Sequence, residues 1–144
     1  MLLTKSYLAI IILSLAGMGV AGYLTWYEII VPVGVCPINV PFISCSAALT
    51  SAYSRIDGVS VASLGLVWFV GAGLLGVLSA ENKAYLKLLL AWSIIAVVGI
   101  VSLLSVEVFL LGEICPFCTS AHVLGLGIVV TTTKLWMNRG TSKP

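Results

Sequence analysis

The chain has 144 residues, of which 60% are hydrophobic and only 8% charged, with a formal net charge of +2. So little charge cannot cover the surface of a soluble protein of this length, and the composition places the chain in a lipid bilayer. The small, dispersed charge offers no footing for a nucleic-acid partner, and the length predicts a single domain, residues 1–144.

Four charge-free stretches are long enough to cross hydrocarbon, which takes about 20 helical residues. The first, Ser6–Tyr27, follows Lys5 as a secretory signal would. Its apolar run outlasts the roughly 7–15 residues of a signal core and ends on Trp26 and Tyr27, aromatic rings suited to the headgroup level. It is therefore predicted to be a membrane helix. The only long connection, Glu28–Gly58, comes next. Pro32, Pro37 and Pro41 give its first half an extended, constrained path. From Ser44, a plausible N-cap, the less polar positions 45, 48, 49, 52, 53 and 56 recur at helical spacing. They predict a short amphipathic helix lying over the mouth of the bundle, the alternative being an interfacial helix with no part in a site.

The second span is Val59–Ala80 and the third Leu88–Val106, joined to the fourth, Ile114–Thr133, by a short loop, Glu107–Glu113. Trp136 marks the end of the last span, and Lys134–Pro144 reads as a short polar tail without order. Gly17, Gly19, Gly22, Gly71, Gly73 and Gly76 lie inside spans, where small residues let helices approach. The expected fold is an all-α integral membrane protein, a four-transmembrane-helix bundle. With four spans, both termini and the central connection share one face, which carries Lys5, Lys83, Lys87, Lys134, Arg139 and Lys143 against Arg55 alone opposite. That bias puts the termini in the cytoplasm and both cysteine-bearing loops outside the cell membrane, on the side where disulfides persist.

The four cysteines form two pairs, Cys36 with Cys45 and Cys115 with Cys118. Cys115-Pro116-Phe117-Cys118 opens the fourth span. Pro116 suits the first helical position, where a missing N–H costs nothing. Cys118 then falls near N–H groups still lacking partners, and these together with the helix dipole favour a thiolate, the reactive form. Two alternatives remain. Four thiolates could hold zinc, although the eight residues between Cys36 and Cys45 are unlike a short zinc knuckle. Structural disulfides would account for the loop pair but poorly for a Cys-x-x-Cys at a helix N-terminus. A relay uses both pairs: an outer one within reach of a soluble thiol protein, and one at the membrane boundary within reach of a hydrophobic acceptor. His122, the single histidine, lies four residues after Cys118 on the same helix face. It is either a packing residue hydrogen-bonded between helices or a donor to a bound acceptor.

A spaced cysteine pair after the first span, Cys45-Ser46 with Ser51 six residues on, Gly65 early in the second span, and Cys-x-x-Cys heading the last span together resemble the vitamin K epoxide reductase family. The likeness extends over essentially the whole chain. In the bacterial quinone-linked thiol oxidases the two pairs come in the reverse order. The resemblance implies that Cys36 exchanges with a thioredoxin-like partner, Cys45 relays to Cys115, and Cys118 is nearest to a quinone. The pocket for that quinone would include His122, Ser51, Val61 and Phe117, with no metal. Two positions depart from the family. His122 stands where vertebrate members have tyrosine, and Val61 where many members have asparagine. Both departures favour quinone reduction over reduction of vitamin K epoxide. Bacterial members often carry a fused thioredoxin domain, so here the partner is expected to be a separate protein. The resulting expectation is a quinone-dependent disulfide oxidoreductase. A rival of another class is a four-span transporter or structural subunit, against which stands the lack of Asp or Glu in the four predicted spans.

Overall fold

A computed structural model describes residues 2–30 and 39–140. Cys36 and the first three residues of the tail's last four, with Pro144, lie outside the described residues. Four long helices dominate: α1 (Leu2–Ile30), α3 (Val61–Glu81), α4 (Lys83–Ser105) and α5 (Pro116–Gly140). Each is long and apolar enough to cross a membrane. Their main contacts run α1 to α3, α3 to α4, α4 to α5 and α5 back to α1, closing a ring of four helices. Ile10, Phe69, Ala72, Leu89 and Ile128 fill its centre, whereas Leu15, Val67, Ile94 and Val123 face outward, as lipid requires.

α1 and α4 begin before the predicted spans and α1, α3 and α5 end after them, whereas α3 and α5 begin two residues inside them. α4 begins at Lys83 because Asn82 closes α3 and opens α4 in one residue: its N–H donates to Leu78 O (3.2 Å), and its Oδ1 accepts from Ala84 N (2.9 Å). The tail expected to be without order is helical to Gly140. There Arg139 donates to Ser79 O (3.2 Å) and Ala80 O (3.4 Å), and its guanidinium lies 5.3 Å from the Tyr7 ring centre. One cation thus ties the ends of α1, α3 and α5.

Small residues do admit close packing, though not at every expected position. A Cβ on Gly17 would overlap the Phe69 ring, and one on Gly76 would lie 2.8 Å from Ile10, but Gly19 has nothing within 4 Å. Trp68 and Trp92 join α3 to α4 reciprocally, each indole N–H donating to the other's carbonyl at 3.0 Å. Such bonds are each worth about 0.5–1.5 kcal/mol net.

Three expectations need correction at the end of the bundle away from the termini. The short helix α2 (Cys45–Thr50) exists but stops before positions 53 and 56. Thr50 Oγ1 donates to Ser46 O (2.7 Å), Ser51 Oγ to Ala48 O (3.0 Å) and Ser54 Oγ to Ser51 O (2.9 Å), so local hydroxyl bonds replace the helical ladder. Strands β3 (Arg55–Ile56) and β4 (Val59–Ser60) follow as a hairpin turning at Asp57 (φ 50°) and Gly58 (φ 84°). Both turn residues are left-handed, as a type I′ turn demands. Val59 and Ser60 therefore belong to a strand, and Ser60 caps α3 through Ala62 N (3.2 Å). Lastly, α4 does not end in a loop at Glu107. It continues as a π-helical segment, Val106–Leu111, and stops at Gly112 (φ 65°). The candidate spans Lys5–Ile30 and Lys83–Leu111 consequently contain Glu28 and Glu107, which removes the ground on which a transporter was set aside.

Candidate functional site

A pairing of backbones brings the long loop to the fourth span. Strands β1 (Asn39–Val40) and β2 (Ile43–Ser44) form a hairpin whose turn is Pro41 followed by Phe42 at φ 71°. Proline then a left-handed residue is the pattern of a type II turn. Ile43 lies in a parallel bridge with Ile114, held by Ser44 N to Ile114 O (3.2 Å) and Ile114 N to Phe42 O (3.0 Å). Each chain then delivers a cysteine: Cys45 opens α2, and Cys115 immediately precedes α5. Both are buried, at 2% and 0% exposure.

Cys115 sits at the N-cap of α5. Its Sγ accepts from Cys118 N at 3.3 Å, and its carbonyl accepts from Thr119 N at 2.9 Å. The helix N-terminus therefore serves the Cys115 sulfur, where the sequence pointed to Cys118. The Cys118 and Cys45 side chains both hydrogen-bond to Cys115. Its thiol pKa is pushed well above the usual range, first by the bond with Cys118 and then by burial, while Cys45 opposes the shift. Three sulfurs thus form one cluster, with Cys115 in the middle. Cys118 is only partly buried.

Below the cluster lies a cavity of about 500 Å³ enclosed by all four long helices, with α2 and the β3–β4 hairpin above it. Its wall is almost wholly apolar, including Leu24, Trp68, Phe69, Ile100 and Leu103. Of the residues expected in a pocket, Ser51, Val61 and His122 line it, as does Cys118. Phe117 does not. One residue before Cys118 it is turned about 100° around the helix, and its ring packs 5.5 Å from that of Tyr23 on α1.

The few polar groups in the wall are specific. Glu28 accepts from Arg55 Nε (3.1 Å) and from the Ser60 hydroxyl, so it fastens the β3–β4 hairpin to the end of α1. His122 is 9% exposed, and its Nδ1 is buried without a hydrogen-bond partner among the described residues. Glu107, 5% exposed, takes the Cys115 backbone N–H on its carboxyl, while its Oε2 is buried without a partner among the described residues. Glu28, Glu107 and the hairpin were missed in the sequence. For the hairpin the signal was present as Asp57-Gly58 between apolar residues. For Glu107 it was a carboxylate set between apolar residues eight positions before a Cys-x-x-Cys, which only the continuation of α4 turns inward. Among the described residues, no three His, Cys, Asp or Glu side chains are grouped as metal ligands would be.

This arrangement can pass electrons between sulfurs and present one sulfur to an apolar guest, and comparison with known proteins agrees in kind. The family model described as "Vitamin K epoxide reductase family" matches residues 8–133. A protein of Archaeoglobus fulgidus, described only as uncharacterized, is 34% identical over 127 residues, covering 88% of this chain and 95% of its own.

Proposed function

The chain belongs to the vitamin K epoxide reductase family of membrane oxidoreductases, and on that premise we propose that it oxidises a thioredoxin-like thiol protein and reduces a membrane quinone. The observation that carries this reading is the division of labour among the sulfurs. Cys115 contacts both Cys45 and Cys118, whereas Cys118 alone of them lines the apolar cavity. Electrons enter when the partner's dithiol reduces a Cys36–Cys45 disulfide and becomes a disulfide itself. A Cys45 thiolate then attacks Cys115 in a Cys115–Cys118 disulfide and releases Cys118, and the Cys36 thiolate attacks Cys45 in that mixed disulfide, releasing Cys115 and restoring Cys36–Cys45. Re-formation of Cys115–Cys118 delivers two electrons to the quinone, which leaves as quinol after taking two protons. Ser51, Val61 and His122 belong to the quinone's wall, and His122 donates to the oxygen on which charge develops. Val61 offers no such donor, which favours a quinone over an epoxide. The partner's thiols are met on the outer face.

The test is a quinone-reduction assay on purified protein in detergent or lipid, with a reduced thioredoxin-like protein as donor. Quinol and partner disulfide are expected in equal amounts. Cys36→Ala should abolish turnover with the protein donor yet retain it with dithiothreitol, which reduces Cys115–Cys118 directly; Cys118→Ala should fail with both. Equal loss in both variants with both donors would rule out an ordered relay.

A further inference from the structure

We propose that Glu107 is the proton acceptor for the Cys115 thiol, taking its proton as the Cys115–Cys118 disulfide closes and passing it on to the reduced acceptor in the cavity. The inference rests on the reading above, and adds to it the route of a proton.

A carboxyl inside a membrane bundle is costly and is kept where it does something. Glu107 is 5% exposed and lies in a candidate span. The π-helical segment Val106–Leu111 puts it there, and such segments often occur at functional sites. One side of its carboxyl is occupied by the Cys115 N–H, which fixes it at the residue whose sulfur must react. The other oxygen, Oε2, has no partner among the described residues, and the residue lines the same cavity as Cys118 and His122. A purely structural cap would not leave a buried oxygen unmatched, because a buried acceptor without a partner is costly.

The chemistry needs such a group. Two thiols and a quinone become a disulfide and a quinol: the S–S bond forms, both S–H bonds break, and two electrons and two protons move to the quinone. Cys115 is buried and holds its proton, through its bond with Cys118 and through burial, so it does not become a thiolate unaided. A carboxylate seated on its own backbone accepts that proton and returns it to a quinol oxygen in the cavity, leaving Glu107 unchanged over the cycle. The other titratable groups of the cavity wall are Glu28, Tyr53, Cys118 and His122. Glu28 is engaged by Arg55 and Ser60 on the hairpin, and α3 and α4 contribute no titratable side chain to the lining.

The experiment compares wild type, Glu107→Gln and Glu107→Asp as pre-reduced proteins mixed once with a water-soluble short-chain quinone across a pH series. Glu107→Gln keeps an oxygen for the Cys115 N–H but cannot carry the proton. Its single-turnover rate should fall by about 10²–10³, within the span of general-base effects, and should then climb with hydroxide as solvent replaces the carboxylate. Glu107→Asp should recover part of the rate, and disulfide exchange from Cys45 to Cys115 should stay intact in all three. A Glu107→Gln protein that reduces quinone at the wild-type rate, or one that loses exchange and quinone reduction alike with an unchanged pH profile, overturns the proposal. A wild-type protein that fails to reduce quinone at all refutes the quinone reading instead, so the two failures are distinguishable.

Discussion

At the scale of single residues, the site is a small number of polar atoms in an apolar wall. His122 lies one turn of α5 below Cys118, lines the cavity, and has a buried Nδ1 without a partner among the described residues. A packing histidine would have found a serine or threonine across the helix interface. We expect His122→Ala to slow single-turnover quinone reduction by as much as about 10²–10³, the loss typical of one donor at developing negative charge. His122→Tyr should retain more, since a phenol also donates. Stopped-flow absorbance of the quinone on pre-reduced protein reads both; an unchanged rate in His122→Ala returns the residue to packing. Cys115 and Cys118 divide along similar lines. The helix N–H that the sequence directs toward Cys118 is accepted by Cys115 Sγ at 3.3 Å, because Cys115 is the cap and Cys118 already stands in the first turn.

At the scale of elements, close helix contact and short turns shape the cavity. α1 and α3 meet at Gly17, where Phe69 fills the space a side chain would need; Phe69 is 4% exposed, stacks edge-on to Trp68 at 5.1 Å and forms part of the cavity wall. Gly17→Ala must displace that ring, and overpacking of this kind costs about 1–3 kcal/mol. The expected outcome is a lower melting temperature in detergent and weaker quinone saturation, both partly restored by adding Phe69→Leu. Strictly additive effects of the two substitutions would show that the residues do not share the space. Above the cavity, α2 and the β3–β4 hairpin form a lid, and the β1–β2 hairpin leads directly into α2. Glu28 holds the β3–β4 hairpin, and Ile114 holds the β1–β2 hairpin, so the cover is tied both to α1 and to the start of α5.

At the scale of the whole molecule, the ring of four helices is closed at one end by Arg139, across α1, α3 and α5, and at the other by the lid. The lid end carries Cys45, Cys115 and Cys118 with Arg55, and the Arg139 end carries the Lys residues among the described ones. The positive-inside rule predicts that the sulfurs face outward. A reporter fused after Pro144 should be cytoplasmic, and an Asp57→Cys label at the exposed hairpin tip should react with an impermeant maleimide in intact cells. Labelling of that position only after the membrane is ruptured would reverse the orientation.

The sequence by itself determined the four helices, the start of α2 at Cys45 and the family, because each is written in local terms. A charge-free run of about 20 residues has no alternative to a helix in hydrocarbon, and cysteine order and spacing are read directly along the chain. Helix limits were less legible, since Lys83 and Lys87 can lie on a helix whose charged heads reach the interface, so charge alone does not mark where it begins. What only the tertiary structure decided was which sulfur and which carboxyl meet. The Ile43–Ile114 bridge joins positions 71 residues apart, and no periodicity encodes that pairing. Nor does spacing reveal that α4 continues as a π-helical segment and carries Glu107 into the wall. That placement depends on Gly112 ending the helix and on the Cys115 N–H waiting for a carboxyl, two facts about backbone geometry rather than residue type.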